Sequence, residues 1–129
     1  MKICIVISNY YNEISNNLFL GAKTELKKNN INNFKKIIVP GTFEIPYQIV
    51  KNINLYDGFI ALGCVIKGKT PHFDLISSAV FNGLIQTSIN YKKPITNGIL
   101  TCLNKNQAIL RSGPDKKNKG REASKALLS

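Results

Sequence analysis

The run Gly58 to Ile66, GFIALGCVI, contains no charge and no alternation of apolar with polar residues. A strand with one face in water alternates, so this one is buried on both faces, as in a parallel sheet covered by helices. Residues 3–8 (ICIVIS), 36–40 (KIIVP) and 94–102 (PITNGILTC) read as three further strands of the same kind. The stretches between them have helical spacing. Asn12 or Ser15 is placed to cap a helix running to about Lys28, with Ile14, Leu18, Ala22 and Leu26 recurring four apart before Asn29-Asn30 ends it. Thr42 is placed to cap a second helix, Phe43 to Ile53, with Pro46 in its first turn and Ile45, Ile49, Val50 and Ile53 as its stripe. Residues 72–91 form a third, carrying Leu75, Ile76, Ala79, Val80, Leu84 and Ile85 on one side. Two short helices, 105–112 and 118–128, flank a polar turn at 112–117.

This order predicts an α/β fold with a four-stranded parallel sheet, helices on both faces and right-handed crossovers. At 129 residues it is expected to be one domain, 1–129. Ligands of such sheets lie beyond the carboxyl ends of the strands, here the segments 8–11, 40–44, 67–72 and 101–104.

No apolar run approaches the ~20 residues of a membrane span. The start, MKICIVISNY, lacks a secretory cleavage pattern and reads directly as the first strand. Cys4, Cys64 and Cys102 are widely spaced, each in an apolar run, which points to buried free thiols in a reducing cytoplasm and not to a disulfide or metal set. The net charge of +11 raises nucleic acid as a partner. Against it, the lysines come as scattered pairs at element ends, and no aromatics are interleaved with them as a stacking surface requires. Anionic substrates account for part of the charge.

Residues 63–70, GCVIKGKT, satisfy the G-x-x-x-x-G-K-[ST] pattern of nucleotide phosphate loops. Cys64, Val65 and Ile66 continue the strand instead of supplying a small, flexible loop, and the fourth strand ends Leu100-Thr101-Cys102 with no aspartate for magnesium. A triphosphatase is therefore rejected. The milder inference stands: a strand ending in glycine and feeding a helix places backbone N–H groups where an anion is welcome. His72, the sole histidine, enters the first turn of that helix, where proton transfer beside an anion is possible.

VPGTFEIP (39–46), GCVIKGKTPHFD (63–74) and SGPDKKNKG (112–120), in that order and spacing, resemble the lumazine synthase family, and the resemblance extends over nearly the whole chain. It implies a three-layer α/β/α, flavodoxin-like subunit, homopentamers that in some members build hollow capsids, and active sites shared between neighbouring subunits. The implied reaction condenses 5-amino-6-(D-ribitylamino)uracil with 3,4-dihydroxy-2-butanone 4-phosphate to give 6,7-dimethyl-8-ribityllumazine, the penultimate step of riboflavin biosynthesis. It implies no cofactor and no metal, two small-molecule substrates, no nucleic acid or membrane partner, and riboflavin synthase as a candidate partner.

By the same resemblance, Tyr10 stacks on the pyrimidine, and Thr42, Phe43 and Glu44 hold the pyrimidine and ribityl chain. The backbone of Cys64, Val65 and Ile66 lines the pyrimidine pocket, and Lys69 and Thr70 cradle phosphate. His72 transfers protons, while Arg111 binds phosphate from the adjacent subunit and Lys119 adds positive potential there. Asn97 occupies the position where many relatives carry a phenylalanine that covers the pyrimidine from the neighbouring subunit. Lys117 replaces the glycine that opens the family's G-N-K-G turn, Pro114-Asp115 depart from it too, and the family's N-terminal extension is expected to be missing. These departures leave a paralogue that binds flavin or lumazine without making it as the alternative.

Overall fold

The computed structural model describes residues 1–115 and 117–129, so position 116 of the expected 112–117 turn lies outside the described residues. The elements are β1 (Ile3–Ser8), α1 (Asn12–Lys28), β2 (Phe34–Val39), a 3-10 turn (Thr42–Glu44), α2 (Ile45–Lys51), β3 (Gly58–Ile66), α3 (His72–Tyr91), β4 (Ile95–Cys102), α4 (Lys105–Arg111) and α5 (Lys119–Leu127). The strands form one parallel sheet in the order β2-β1-β3-β4, with Ile3 opposite Phe34 and Gly58, and Phe59 opposite Ile95.

Both faces of the sheet are apolar, and each takes its own helices. Ile3, Ile5, Ile7, Ile60, Leu62 and Leu100 pack with Leu18, Ala22 and Leu26 of α1, Ala108 of α4 and Leu127 of α5. On the other face Cys4, Val6, Phe59, Ala61 and Ile99 meet Ile45 and Ile49 of α2 and Val80 and Leu84 of α3. This is the expected three-layer α/β/α sandwich of flavodoxin-like type. The chain steps outward from β1 to β2 through α1, then back over β1 to β3 through α2. The helix changes face where the direction reverses, so the crossovers keep one hand.

Several local expectations differ from what is observed. Helix α1 is preceded by Tyr11 in the capping position, without a side-chain cap; Asn12 is its first residue and Ser15 lies inside it. The Ser15 hydroxyl instead donates to the Ser8 carbonyl, tying the helix to the end of β1. Strand β2 starts at Phe34 and ends before Pro40, which has no N–H to give the ladder. Thr42 opens a 3-10 turn and makes no cap bond; α2 starts three residues later and stops at Lys51. Of its expected stripe, Ile45, Ile49 and Ile53 are buried, whereas Val50 is 36% exposed. The stripe of α3 also divides: Val80 and Leu84 are buried against the sheet, but Leu75 is 67% and Ile85 53% exposed. Helix α3 has more apolar positions than one sheet face can cover.

Asn118 organises the last two helices. Its side-chain oxygen accepts the Arg121 N–H at 3.0 Å, capping α5, while its amide nitrogen lies 2.9–3.1 Å from the carbonyls of Asn17, Ser112 and Gly113. The buried side chain thus fastens the end of α4 to α1.

Candidate active site

The carboxyl ends of β1, β2 and β3 open into a cleft of about 560 Å³. It lies where the connections from β1 and β3 diverge to opposite sides, the switch point at which doubly wound sheets take ligands. Tyr10, Thr42, Phe43, Glu44, Cys64, Val65, Ile66, Thr70 and His72 all line it.

One wall is aromatic. Tyr10 follows β1 and is 74% exposed, with its ring centroid 5.0 Å from that of Tyr11 at an interplanar angle of 70°. Tyr11 is half-buried; burial pushes its phenol up, and Tyr10 and Cys64 push it further.

The segment after β2 forms the facing wall. The Glu44 N–H donates to the Gly41 carbonyl at 3.2 Å, closing the turn that carries Thr42, Phe43 and Glu44. Thr42 turns its hydroxyl inward, 3.3 Å from the Ser8 Oγ, while Phe43 projects outward and is 61% exposed.

The end of β3 forms the floor. Cys64 is buried, and burial, with a smaller contribution from Cys102, pushes its thiol up to about 12. It is therefore a neutral, non-nucleophilic wall group at physiological pH. Beyond Ile66 the chain leaves the sheet with the Lys67 N–H donating to the Cys102 carbonyl at 2.9 Å. It then passes Gly68 and Thr70 into α3. The His72 N–H points at Thr70 Oγ1, 3.4 Å away, and the first helical bond runs from Leu75 N–H to the Pro71 carbonyl at 3.2 Å. The amides of this first turn have no partner within the helix, that of His72 being met by Thr70, and the His72 side chain is exposed beside them.

Four residues expected here lie outside the cleft of the single chain. Lys69 is exposed and does not line it, although its neighbours Gly68 and Thr70 do. Asn97 lies midway along β4 opposite Ala61, and its side-chain oxygen accepts the Ile99 N–H at 2.9 Å on the free edge of that strand. Arg111 ends α4 and is exposed. It is close enough to Cys102 for its charge to oppose the upward push of burial on that thiol. Lys119 pairs with Glu122 at 3.2 Å, which balances its charge locally.

Five lining residues were given no individual role from the sequence: Tyr11, Gly41 and Gly68, which fall inside the expected strand-end segments, and Phe73 and Ile76, which fall outside them. All but Ile76 flank predicted residues, so adjacency was the available signal; Ile76 is one helical turn beyond His72.

The cleft combines an exposed tyrosine ring backed edge-to-face by a second, a carboxylate from Glu44, a donor-rich helix mouth and an imidazole. These are groups able to meet a planar polar ring, an anion and a proton in transfer. No helix among the described residues is long and apolar enough to cross a membrane.

Comparison with known proteins points the same way. The family model for 6,7-dimethyl-8-ribityllumazine synthase matches residues 1–129. The chain is 42% identical to the 6,7-dimethyl-8-ribityllumazine synthase of Buchnera aphidicola, over 98% of this chain and 82% of that protein. It is 40% identical to the enzymes of that name from Vesicomyosocius okutanii, over 98% of this chain and 81% of that one, and from Bartonella bacilliformis, over 98% and 85%. The chain belongs to the 6,7-dimethyl-8-ribityllumazine synthase family, transferase enzymes of riboflavin biosynthesis.

Proposed function

We propose that this protein, a single domain, condenses 5-amino-6-(D-ribitylamino)uracil with 3,4-dihydroxy-2-butanone 4-phosphate in the cytoplasm, releasing phosphate and water. The observation that carries the reading is the convergence of Tyr10, the Thr42–Glu44 turn, Cys64–Ile66 and His72 on one cleft. In this reading the pyrimidine lies against Tyr10 and the end of β3, and Glu44 accepts hydrogen bonds from ribityl hydroxyls. Phosphate sits at the mouth of α3 with Thr70 and Lys69, next to His72. The 5-amino group attacks the ketone and loses water to form an imine; elimination expels phosphate, and ring closure expels a second water. His72 carries protons between these steps, and the cleft contributes by holding two reactants together.

Arg111 and Asn97 come from a neighbouring copy in a homopentamer. Two observations support this: both residues lie away from their own chain's cleft, and Tyr47, Leu75, Ile85 and Ile89 of α2 and α3 are left exposed by the single chain. The arginine fork suits a phosphate dianion. The test is to mix the protein with both substrates and follow lumazine absorbance and released phosphate, with the molecular mass measured in parallel. Turnover above the spontaneous condensation, by a pentamer or an assembly of pentamers, is the expected result. A monomer, or a rate equal to the spontaneous one, overturns the reading.

A further inference from the structure

We infer that Tyr11 is a positioning residue for the cleft, its ring holding that of Tyr10 edge-to-face in the attitude that stacks on the pyrimidine. The inference rests on the proposed seating of the pyrimidine against Tyr10. Tyr10 is 74% exposed and sits in the short connection between β1 and α1, so its ring has little else to fix it. An exposed aromatic side chain has several staggered rotamers open to it, and each one it samples dilutes a stacking surface.

Tyr11 is built differently. It packs against the buried cluster on the α1 face of the sheet, and its carbonyl accepts the Ser15 N–H at 2.9 Å, so both ends are anchored to α1. Tyr11 lines both the cleft and a smaller hollow of about 140 Å³ between α1 and α4, so it stands between the two. At 5.0 Å and 70° the two rings have the separation and tilt at which the positive edge of one meets the negative face of the other. The rigid ring therefore selects the orientation of the mobile one.

Steady-state kinetics on Tyr11→Phe, Tyr11→Leu, Tyr10→Ala and the Tyr10→Ala/Tyr11→Leu double variant decide the matter. Tyr11→Phe keeps the ring and is expected to retain the KM for the aminopyrimidine. Tyr11→Leu keeps the apolar volume but loses the aromatic contact, and is expected to raise that KM about three- to tenfold while kcat and the KM for the phosphorylated ketose hold. On the Tyr10→Ala background the same leucine substitution is expected to add nothing, because the partner it positions is gone. An unchanged pyrimidine KM in Tyr11→Leu, equal increases in both KM values, or an undiminished effect on the Tyr10→Ala background overturns the inference. So does Tyr11→Phe behaving like Tyr11→Leu. If Tyr11→Leu fails to fold, Tyr11→Met takes its place in the cycle, and unfolding of both assigns the residue a purely structural role and overturns the inference. A wild-type protein without turnover removes the site reading and the inference together, whereas the other failures occur on an active wild type.

Discussion

Ser8 Oγ and Thr42 Oγ1 lie 3.3 Å apart under the cleft, joining the end of β1 to the turn that carries Phe43 and Glu44. Gly63 makes the contact possible: a Cβ there would stand 2.4 Å from Ser8 Oγ and 3.2 Å from Thr42 Oγ1. Thr42→Val keeps the shape and deletes the hydroxyl, leaving Ser8 without its partner. We expect a stability loss of about 1 kcal/mol, and a rise in the KM for the aminopyrimidine with the phosphate substrate unaffected. Denaturant titration and two-substrate kinetics check both parts; an unchanged pyrimidine KM would show that the turn holds its shape without the bond.

Stability should also respond to acid through Glu25. Its carboxylate is buried on α1; burial alone pushes it up, but hydrogen bonds from Arg121 at 3.2 Å and Asn29 at 3.1 Å, with Lys28 and Lys125 nearby, hold it below the usual carboxylate range. A lowered carboxyl contributes stability above its unfolded value and loses it as pH falls through the folded one. Glu25→Gln should therefore cost about 1–3 kcal/mol at pH 7, with the gap between wild type and variant narrowing as pH falls below the usual carboxylate range. Urea melts across that range measure the gap, and a gap constant down to pH 3 counts against the pairing.

Strands β1 and β3 were legible because double burial leaves an unbroken apolar run, whereas the edge strand β2, with Lys35, Lys36 and Ile38 exposed, is not buried on both faces as expected. The strand ends located the cleft because a doubly wound sheet has one switch point. Other features turn on distances between elements that no local pattern encodes. Ser15 looks like a helix cap, yet its hydroxyl goes back to the Ser8 carbonyl once α1 folds onto β1. Leu75 and Ile85 fit the stripe of α3, yet they face away from the sheet, since periodicity marks a position as apolar without saying what covers it. Asn97 stands where many relatives carry a phenylalanine, and its side-chain oxygen accepts the Ile99 N–H of its own edge strand, a local bond that no pattern in the sequence announces. Arg111 could be placed only through the family resemblance, because helix spacing alone makes it a terminal cation.

Helices α1 and α5 approach so closely that Gly120 has no room for a side chain: a Cβ there would meet the Leu18 carbonyl oxygen at 2.0 Å. That neighbour is backbone and cannot rotate away, so Gly120→Ala must separate the helices. We expect a loss of about 3 kcal/mol, the upper part of the range for overpacking. The same shift should disturb Asn118, which fastens the end of α4, and so displace Arg111. Thermal melts with phosphate-substrate kinetics test this, and a variant as stable as wild type refutes the close approach.

Site sharing has a sharper test than either single variant. If His72 acts in the cleft of one copy and Arg111 reaches it from the next, His72→Ala and Arg111→Ala each impair every site of their own assembly when the phosphorylated ketose is kept well below its raised KM. The first should lower kcat with the fold intact; the second should mainly raise the KM for the phosphorylated ketose. Co-assembly of the two variants in equal amounts recreates intact sites wherever an Arg111→Ala subunit supplies the histidine and a His72→Ala neighbour the arginine. In a ring with head-to-tail interfaces, random mixing gives each condition a chance of about one half, so about a quarter of wild-type activity should return. Mixing without subunit exchange should restore nothing, which controls for residual activity. Failure of co-assembled rings to exceed the mean of the parents would place both residues in the same chain's site, a placement the exposed end of α4, outside its own cleft, argues against.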